Sequence, residues 1–226
     1  MNGLFIVLEG PEGSGKSTQG KRLAGRLSTE GVPVLLTREP GGTAIGEQVR
    51  AILLDQGNYA MLPQTEALLY SAARAQHVGE VIRPALESGT LVICDRYVDS
   101  TLAYQSGGRG LPLDGLVEMQ RFATGGVAPD LRILLDLPPA LGLARRLATP
   151  EEVNRLDVVS LAFHERVRHF YLSLVDADPT SWRVIDATDD VEEVAANVWS
   201  VVGPTIQSWR ELSATQPGAD ISSVQV

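Results

Sequence analysis

Apolar residues recur along this chain in two rhythms. Short runs rich in Val, Ile and Leu fall at residues 4–9, 32–37, 90–95, 131–137 and 182–186, each the length of a buried strand. Between them, apolar positions return every three or four residues over 17–29, 44–54, 64–88, 113–124, 139–146, 158–177 and 191–210, as in helices with one buried face. Strands alternating with helices close into a parallel sheet covered on both faces. The pattern therefore predicts an α/β fold, a doubly wound parallel sheet of five strands in one domain over 1–210. Gly31 and Gly89 stop the first and third helices, and Pro63 starts the third. From 211 to 226 the periodicity fades into Ser, Thr, Gln, Gly and Pro, the composition of a mobile tail.

The join between the first strand and the first helix carries chemistry. Gly10-Pro11-Glu12-Gly13-Ser14-Gly15-Lys16-Ser17, followed by Thr18, satisfies G-x-x-x-x-G-K-[ST] in the strand-to-helix context that makes this spacing a phosphate-binding loop. Its glycines let backbone N–H groups wrap a phosphate chain, and the helix N-terminus adds a favourable dipole. Lys16 is then placed to reach the β- and γ-phosphates of a nucleotide, and the Ser17 hydroxyl to coordinate Mg²⁺. This narrows the fold to the P-loop NTPase type. The third strand ends in Asp95-Arg96, at the carboxyl edge where open α/β sheets bind ligands. Asp95 can hold Mg²⁺ through water or orient a nucleophile, and Arg96 can clamp a phosphate. No D-x-x-G follows downstream. The single N-x-x-D, Asn154-Arg155-Leu156-Asp157, lacks the lysine of a guanine-reading N-K-x-D, which disfavours a GTPase.

Three further segments suggest a second substrate. Arg38-Glu39-Pro40-Gly41-Gly42-Thr43 follows the second strand at the same sheet edge. Glu66, Tyr70, Arg74 and His77 follow one another at spacings of four, four and three and share a helix face. An aromatic ring can stack on a base while a guanidinium one turn later hydrogen-bonds an exocyclic oxygen; the same stripe also reads as an ordinary amphipathic face, with His77 structural. Residues 99–105, including Thr101, Tyr104 and Gln105, form either a polar loop or one wall of the site.

Charge and composition then remove alternatives. A net charge of −9 argues against a broad footprint on nucleic acid, which needs clustered Lys and Arg, but leaves room for a local cationic pocket. The longest apolar stretch, 131–144, is interrupted by Asp136, Pro138 and Pro139 and is too short to span a membrane. The N-terminal residues lack the marks of an export signal, so a cytoplasmic location is expected. Cys94, the single cysteine, reads as a small buried hydrophobe.

In order and spacing, residues 10–18, 38–43, Leu69 to His77 and Asp95-Arg96-Tyr97 through Tyr104-Gln105 resemble the thymidylate kinase family. Pro129-Asp130, Phe163 to Arg168 and Val184 to Ala187 extend the likeness over most of 4–200. The resemblance implies a homodimeric P-loop kinase with a small lid at about 145–157, moving the γ-phosphate of MgATP to dTMP. It implies that Tyr70 stacks on thymine, that Arg74 contacts its O4, and that Thr101 and Gln105 complete the base site. Arg38 and Arg96 would hold the acceptor phosphate, with Glu39 and Pro40 beside them. Glu12 would lie near the deoxyribose, and Tyr104 would crowd a ribose 2′-hydroxyl. Relatives whose phosphate loop lacks an arginine, as here with Gly13 after Glu12, tend to carry several arginines in the lid; here Arg145, Arg146 and Arg155 bracket residues 147–153, which hold no basic residue, and Arg155 is the best-matching position for the catalytic arginine, with Arg146 the next. Two rivals stay open on the residues alone: another nucleoside monophosphate or deoxynucleoside kinase, and a nucleotide-binding regulatory module without transfer activity.

Overall fold

A computed structural model of the protein describes residues 3–148 and 153–215. Its sheet contains β1 (Phe5–Glu9), β2 (Val34–Arg38), β3 (Leu91–Asp95), β4 (Leu131–Asp136) and β5 (Trp182–Asp186). All pairings are parallel, in the order β2-β3-β1-β4-β5. The five-stranded parallel sheet expected from the apolar runs is thus present. Every residue of β1 and β3 is buried, as their unbroken apolar runs require, whereas the edge strands β2 and β5 are partly open.

Nine α-helices surround the sheet among the described residues: α1 (Lys16–Thr29), α2 (Ala44–Leu54), α3 (Pro63–His77), α4 (Arg83–Glu87), α5 (Val98–Thr101), α6 (Leu113–Thr124), α7 (Pro139–Leu147), α8 (Leu161–Ala177) and α9 (Val191–Thr215). Alternation along β1 divides the core. Leu4, Ile6 and Leu8 pack with Leu23 and Leu27 of α1 and with Val198 and Val202 of α9. Phe5 and Val7 pack on the opposite face with Ile82, Leu86, Cys94 and Tyr97. None of the described helices is long and apolar enough to cross a membrane.

Three expectations are corrected by tertiary context. The helix foreseen over 64–88 is divided: a π-helical turn, Val78–Ile82, separates α3 from α4. Pro84 supplies no backbone N–H, so the regular ladder cannot run unbroken through this point. Residues 99–105 are helical, as α5 followed by a π-helical segment, Leu102–Gly108. Gly107 and Gly108 let this segment pack closely on α8, since a Cβ there would stand 2.5 or 2.4 Å from Phe170 or Phe163. The last helix continues to Thr215, past the expected stop at 210. The remainder of the expected tail, 216–226, and lid residues 149–152 lie outside the described residues.

The phosphate loop is locked against α7 by backbone contact. A Cβ on Gly142 would lie 2.1 Å from the Glu12 carbonyl oxygen, and one on Gly13, at φ 70°, would lie 2.2 Å from that of Gly142. Neither neighbour can yield as a side chain could. Gly142→Ala is therefore expected to destabilise the fold by ~1–3 kcal/mol, the cost of overpacking, and to weaken nucleotide binding at the phosphate loop. Gly115→Ala, in the open on α6, should instead stabilise by ~0.5–1 kcal/mol through helix propensity. Urea titrations of the two variants, with a nucleotide-binding isotherm for each, check the pair.

Candidate active site

The loop between β1 and α1 is shaped by glycines that adopt conformations closed to other residues: φ is 144° at Gly10, 70° at Gly13 and 89° at Gly15, which precedes α1. Lys16 folds back over this loop. Its Nζ donates to the carbonyls of Gly10 at 3.0 Å and Pro11 at 2.8 Å and to Ser14 Oγ at 3.2 Å. Burial, with Arg96 next, lowers its pKa to about 8, against the pull of Asp95, Glu12 and Glu9. A phosphate arriving here would restore the full ammonium charge. Ser17 Oγ donates to Asp95 Oδ2 at 2.5 Å, so a hydroxyl and a carboxylate stand together as hard oxygen ligands. That pair fits Mg²⁺, which takes one or two protein oxygens and fills its octahedron with phosphate and water.

Arg96 connects the loop to the third strand. It is the one described non-glycine residue at positive φ, 71°, a conformation that side chains resist and that concentrates at functional sites. Its Nη2 donates to Glu12 Oε1 at 2.8 Å and to Tyr104 OH at 3.2 Å, while Nη1 donates to the Gly10 carbonyl and to Ser100 Oγ, both at 3.2 Å. Tyr104 OH also donates to Glu12 Oε1 at 3.0 Å. Burial by itself would raise the Glu12 pKa, but Arg96, Lys16 and the Tyr104 hydroxyl outweigh it and hold the carboxyl at about 2.

Two cavities meet at this triad. The first, about 310 Å³, lies over the loop and is lined by Lys16, Ser17, Thr18, Arg38, Arg50, Asp95, Arg96, Arg145 and Arg146 among others. Six of its lining side chains are cationic and three are carboxylates, a positive pocket in a chain of net charge −9. The second is a cleft walled by Glu12, Glu39, Pro40, Tyr70, Arg96, Thr101, Tyr104 and Gln105, with Leu54 and Leu156 supplying apolar surface. A third, about 490 Å³, opens on the far side of the loop between Gly13, Ser14, Gly15, Arg145, Ala187 and Val191.

Most of the expected base-site residues come together, but not all in the expected way. Tyr70, half-buried, faces the cleft. Arg74 is only 1% exposed and lies behind the cleft wall. It donates to Glu39 Oε2 at 2.7 Å, Thr101 Oγ1 at 2.9 Å, the Tyr97 carbonyl at 2.8 Å and Gln120 Oε1. Of five guanidinium N–H groups, one on Nη2 has no partner among the described residues. Glu39 is buried as well, since it also takes His77 Nδ1 at 3.0 Å, whose other nitrogen meets Thr37 Oγ1 at 2.7 Å. Arg38 is exposed and forks onto Glu47 at 3.0 Å, at the rim of the phosphate cavity.

Arg155, expected as the lid arginine, is held away from the phosphate cavity by its contacts. Its Nη2 donates to Glu66 Oε2 at 2.5 Å and its Nε to the Leu53 carbonyl at 3.0 Å, leaving it 6% exposed and away from the lining of all three cavities. Glu66 also binds Gln105 and Arg109; burial alone would raise its pKa, but Arg109, Gln105 and Arg155 outweigh it and lower the carboxyl. Arg155 thus anchors the segment after 153 to α2 and α3. Arg146, by contrast, lines the phosphate cavity and forks onto Asp157 at 3.1–3.3 Å.

One residue escaped the sequence reading. Arg50 of α2 donates to the Pro40 carbonyl at 2.9 Å and lines both the phosphate cavity and the adjoining cleft. Its signal was periodicity: Glu47, Arg50 and Leu54 lie three and four residues apart on the α2 face that looks back on the Arg38–Thr43 turn.

A phosphate loop separated from a base-sized cleft by a shared Glu12–Arg96 wall is the arrangement of a P-loop nucleotide kinase, which must bring two phosphorylated ligands end to end. Comparison with known sequences agrees. The family model described as thymidylate kinase matches residues 8–198. A protein named thymidylate kinase from Thermomicrobium roseum is 55% identical over 91% of this chain and 97% of its own length. Those from Deinococcus radiodurans and Geobacter sulfurreducens are each 52% identical over 88% of this chain and 96% of their own. The chain belongs to the thymidylate kinase family.

The Glu12–Arg96 pair is also a stability element with a defined pH window. Because the folded pKa of Glu12, about 2, lies below the ordinary 4.5, its contribution is full above pH 4.5 and is lost as pH falls toward 2. Between pH 4.5 and 3 the wild-type chain should lose ~2 kcal/mol relative to Glu12→Gln, at ~1.4 kcal/mol per pH unit. Parallel denaturant curves for the two proteins at several pH values across this window measure the difference; parallel stabilities throughout would show that the pair contributes nothing.

Proposed function

We propose that the chain transfers the γ-phosphate of ATP to dTMP, yielding ADP and dTDP. The observation that carries this reading is the shared wall: Glu12 and Arg96 line both the cationic phosphate cavity and the cleft that holds Tyr70, Thr101, Tyr104 and Gln105. A regulatory module would need the first cavity and not the second, and a nucleoside substrate would leave the cations at the junction without a phosphate to hold.

In this reading ATP lies along the loop from Gly10 to Thr18, with Pro11 and Ser14 shaping the bend and its base toward Arg145 and Val191. Ser17 and Asp95, the latter directly or through water, would hold Mg²⁺, which supplies charge neutralisation between the β- and γ-phosphates. Lys16 neutralises the same phosphates from the protein side. In the acceptor cleft Tyr70 stacks on thymine, Arg74 offers its remaining N–H to O4, and Thr101 and Gln105 close the base site. Tyr104 is held by Glu12 and Arg96, so its ring is fixed where a ribose 2′-hydroxyl would have to fit. Arg96, Arg50 and Arg38 take the acceptor phosphate, with Glu39 and Pro40 positioning their neighbours. Transfer then needs alignment and neutralised charge more than covalent help from the protein. The catalytic lid arginine in this reading is Arg146, from a lid at about 145–157 within one kinase domain over 1–210.

The reading extends to a cytoplasmic homodimer. Ile52 on α2, Leu68 on α3 and Val117 and Phe122 on α6 stand exposed, Phe122 at 89%, and a second copy would cover them. Light scattering should return twice the mass of one chain at micromolar concentration, and a monomer there would remove this part.

The deciding experiment measures ADP release with MgATP against dTMP, dUMP, dCMP, UMP, AMP, GMP and thymidine. dTMP should lead, with dUMP ~10- to 200-fold behind, as one methyl group in a pocket allows. Preference for another monophosphate would sink the base-site assignments, and no turnover with any acceptor would favour the regulatory module. In the same assay Arg146→Ala should lower kcat ~10²-fold or more, the scale for one transition-state donor. Arg155→Ala should cost ~1–3 kcal/mol of stability, the loss of a buried charged hydrogen bond, since Glu66 keeps Arg109 and Gln105, while sparing kcat at temperatures where it stays folded.

A further inference from the structure

Glu9, the last residue of β1, is fully buried on the sheet face where its alternation partners Phe5 and Val7 meet apolar side chains. A leucine would satisfy that packing. The carboxylate instead receives four donors: Tyr97 N at 2.8 Å and Ser100 N at 3.2 Å on Oε1, and Ser100 Oγ at 2.5 Å and Tyr171 OH at 2.9 Å on Oε2. Burial, reinforced by Asp99, raises its pKa to about 7 even so, against Ser100, Arg96 and the Tyr97 N–H. A charge this costly to bury, on a face that packing alone would fill, points to what it holds.

What it holds is Arg96, from both ends. The Arg96 N–H donates to the Leu8 carbonyl at 2.9 Å, and the next N–H along the chain, that of Tyr97, is caught by Glu9. Two adjacent residues of β1 therefore pin the backbone on either side of the residue at φ 71°. The guanidinium is reached as well: Arg96 Nη1 donates at 3.2 Å to Ser100 Oγ, the hydroxyl that donates to Glu9. We propose that Glu9 is a positioning residue for phosphoryl transfer, holding Arg96 in its left-handed conformation and aiming its guanidinium across the junction of the two cavities. This rests on the reading of Arg96 as the clamp on the acceptor phosphate. Glu9 touches neither substrate.

Steady-state kinetics on the full chain, with dTMP and MgATP varied separately, test this in Glu9→Gln, Arg96→Ala and the double variant. Glu9→Gln should lower kcat/KM for dTMP by ~10- to 100-fold, leave the KM for ATP within about twofold, and have little further effect in the Arg96→Ala background, because it acts through Arg96. An equal loss in both backgrounds, or an unchanged kcat/KM in folded Glu9→Gln, overturns the proposal. Should Glu9→Gln fail to fold, Ser100→Ala with Tyr171→Phe cuts only the side-chain branch. That variant should show a smaller dTMP-specific loss that also vanishes without Arg96, and normal kinetics from it would overturn the aiming role. Arg96→Ala with unimpaired dTMP kinetics would instead refute the reading of Arg96 itself, a result distinguishable from failure of Glu9 alone.

Discussion

Everything at this site depends on one guanidinium held in an unfavourable place. Arg96 stands at positive φ at the end of a buried strand, and its charge is shared among the Glu12 carboxylate, the Gly10 carbonyl and three hydroxyls. A lone arginine there would bury its charge at great cost and relax into an ordinary backbone conformation. It does neither because β1, the phosphate loop, α5 and the π-helical segment after it all direct polar atoms toward it. Those atoms make the cost of burial bearable and leave the positive field pointed at the junction where two phosphates would meet.

The surrounding architecture follows from supporting that point. Central strands buried on both faces provide a rigid edge, so the loop after β1 and the turn after β3 keep a fixed separation, with Leu8 in register with Asp95. Backbone contact between Gly13 and Gly142 removes the slack that a side-chain contact would leave. On the acceptor side, buried ion pairs play the same part: Arg74 with Glu39, and Arg155 and Arg109 with Glu66. Such pairs add little net stability relative to apolar packing, but they fix geometry closely, since any displacement strands a buried charge.

Negative net charge and a cationic pocket are compatible for the same reason. Lys16, Arg38, Arg50, Arg96, Arg145 and Arg146 come from four separate stretches of chain and converge only at the carboxyl edge of the sheet. Repulsion among them is offset locally by Glu12, Glu39 and Asp95, and the depressed pKa values of Lys16 and Arg50 register what repulsion and burial remain. An anionic ligand would relieve both.

The sequence by itself determined the five strands, their parallel pairing and the phosphate loop, because these depend on local rhythm and on a spacing that only one backbone geometry accommodates. It also brought Glu12, Tyr70, Asp95, Arg96 and Tyr104 to one region, since strand ends and helix faces set their direction. The contacts of Arg50, the burial of Arg74 and the different surroundings of Arg146 and Arg155 were decided by tertiary structure. Each is a question of which carboxylate or carbonyl a long cationic side chain finds, and those partners lie ten or more residues away. Pro84 altered the third helix, and glycines at 107 and 108 made a helix where polar composition suggested a loop, because propensity yields wherever close packing against another element offers more than the local preference costs.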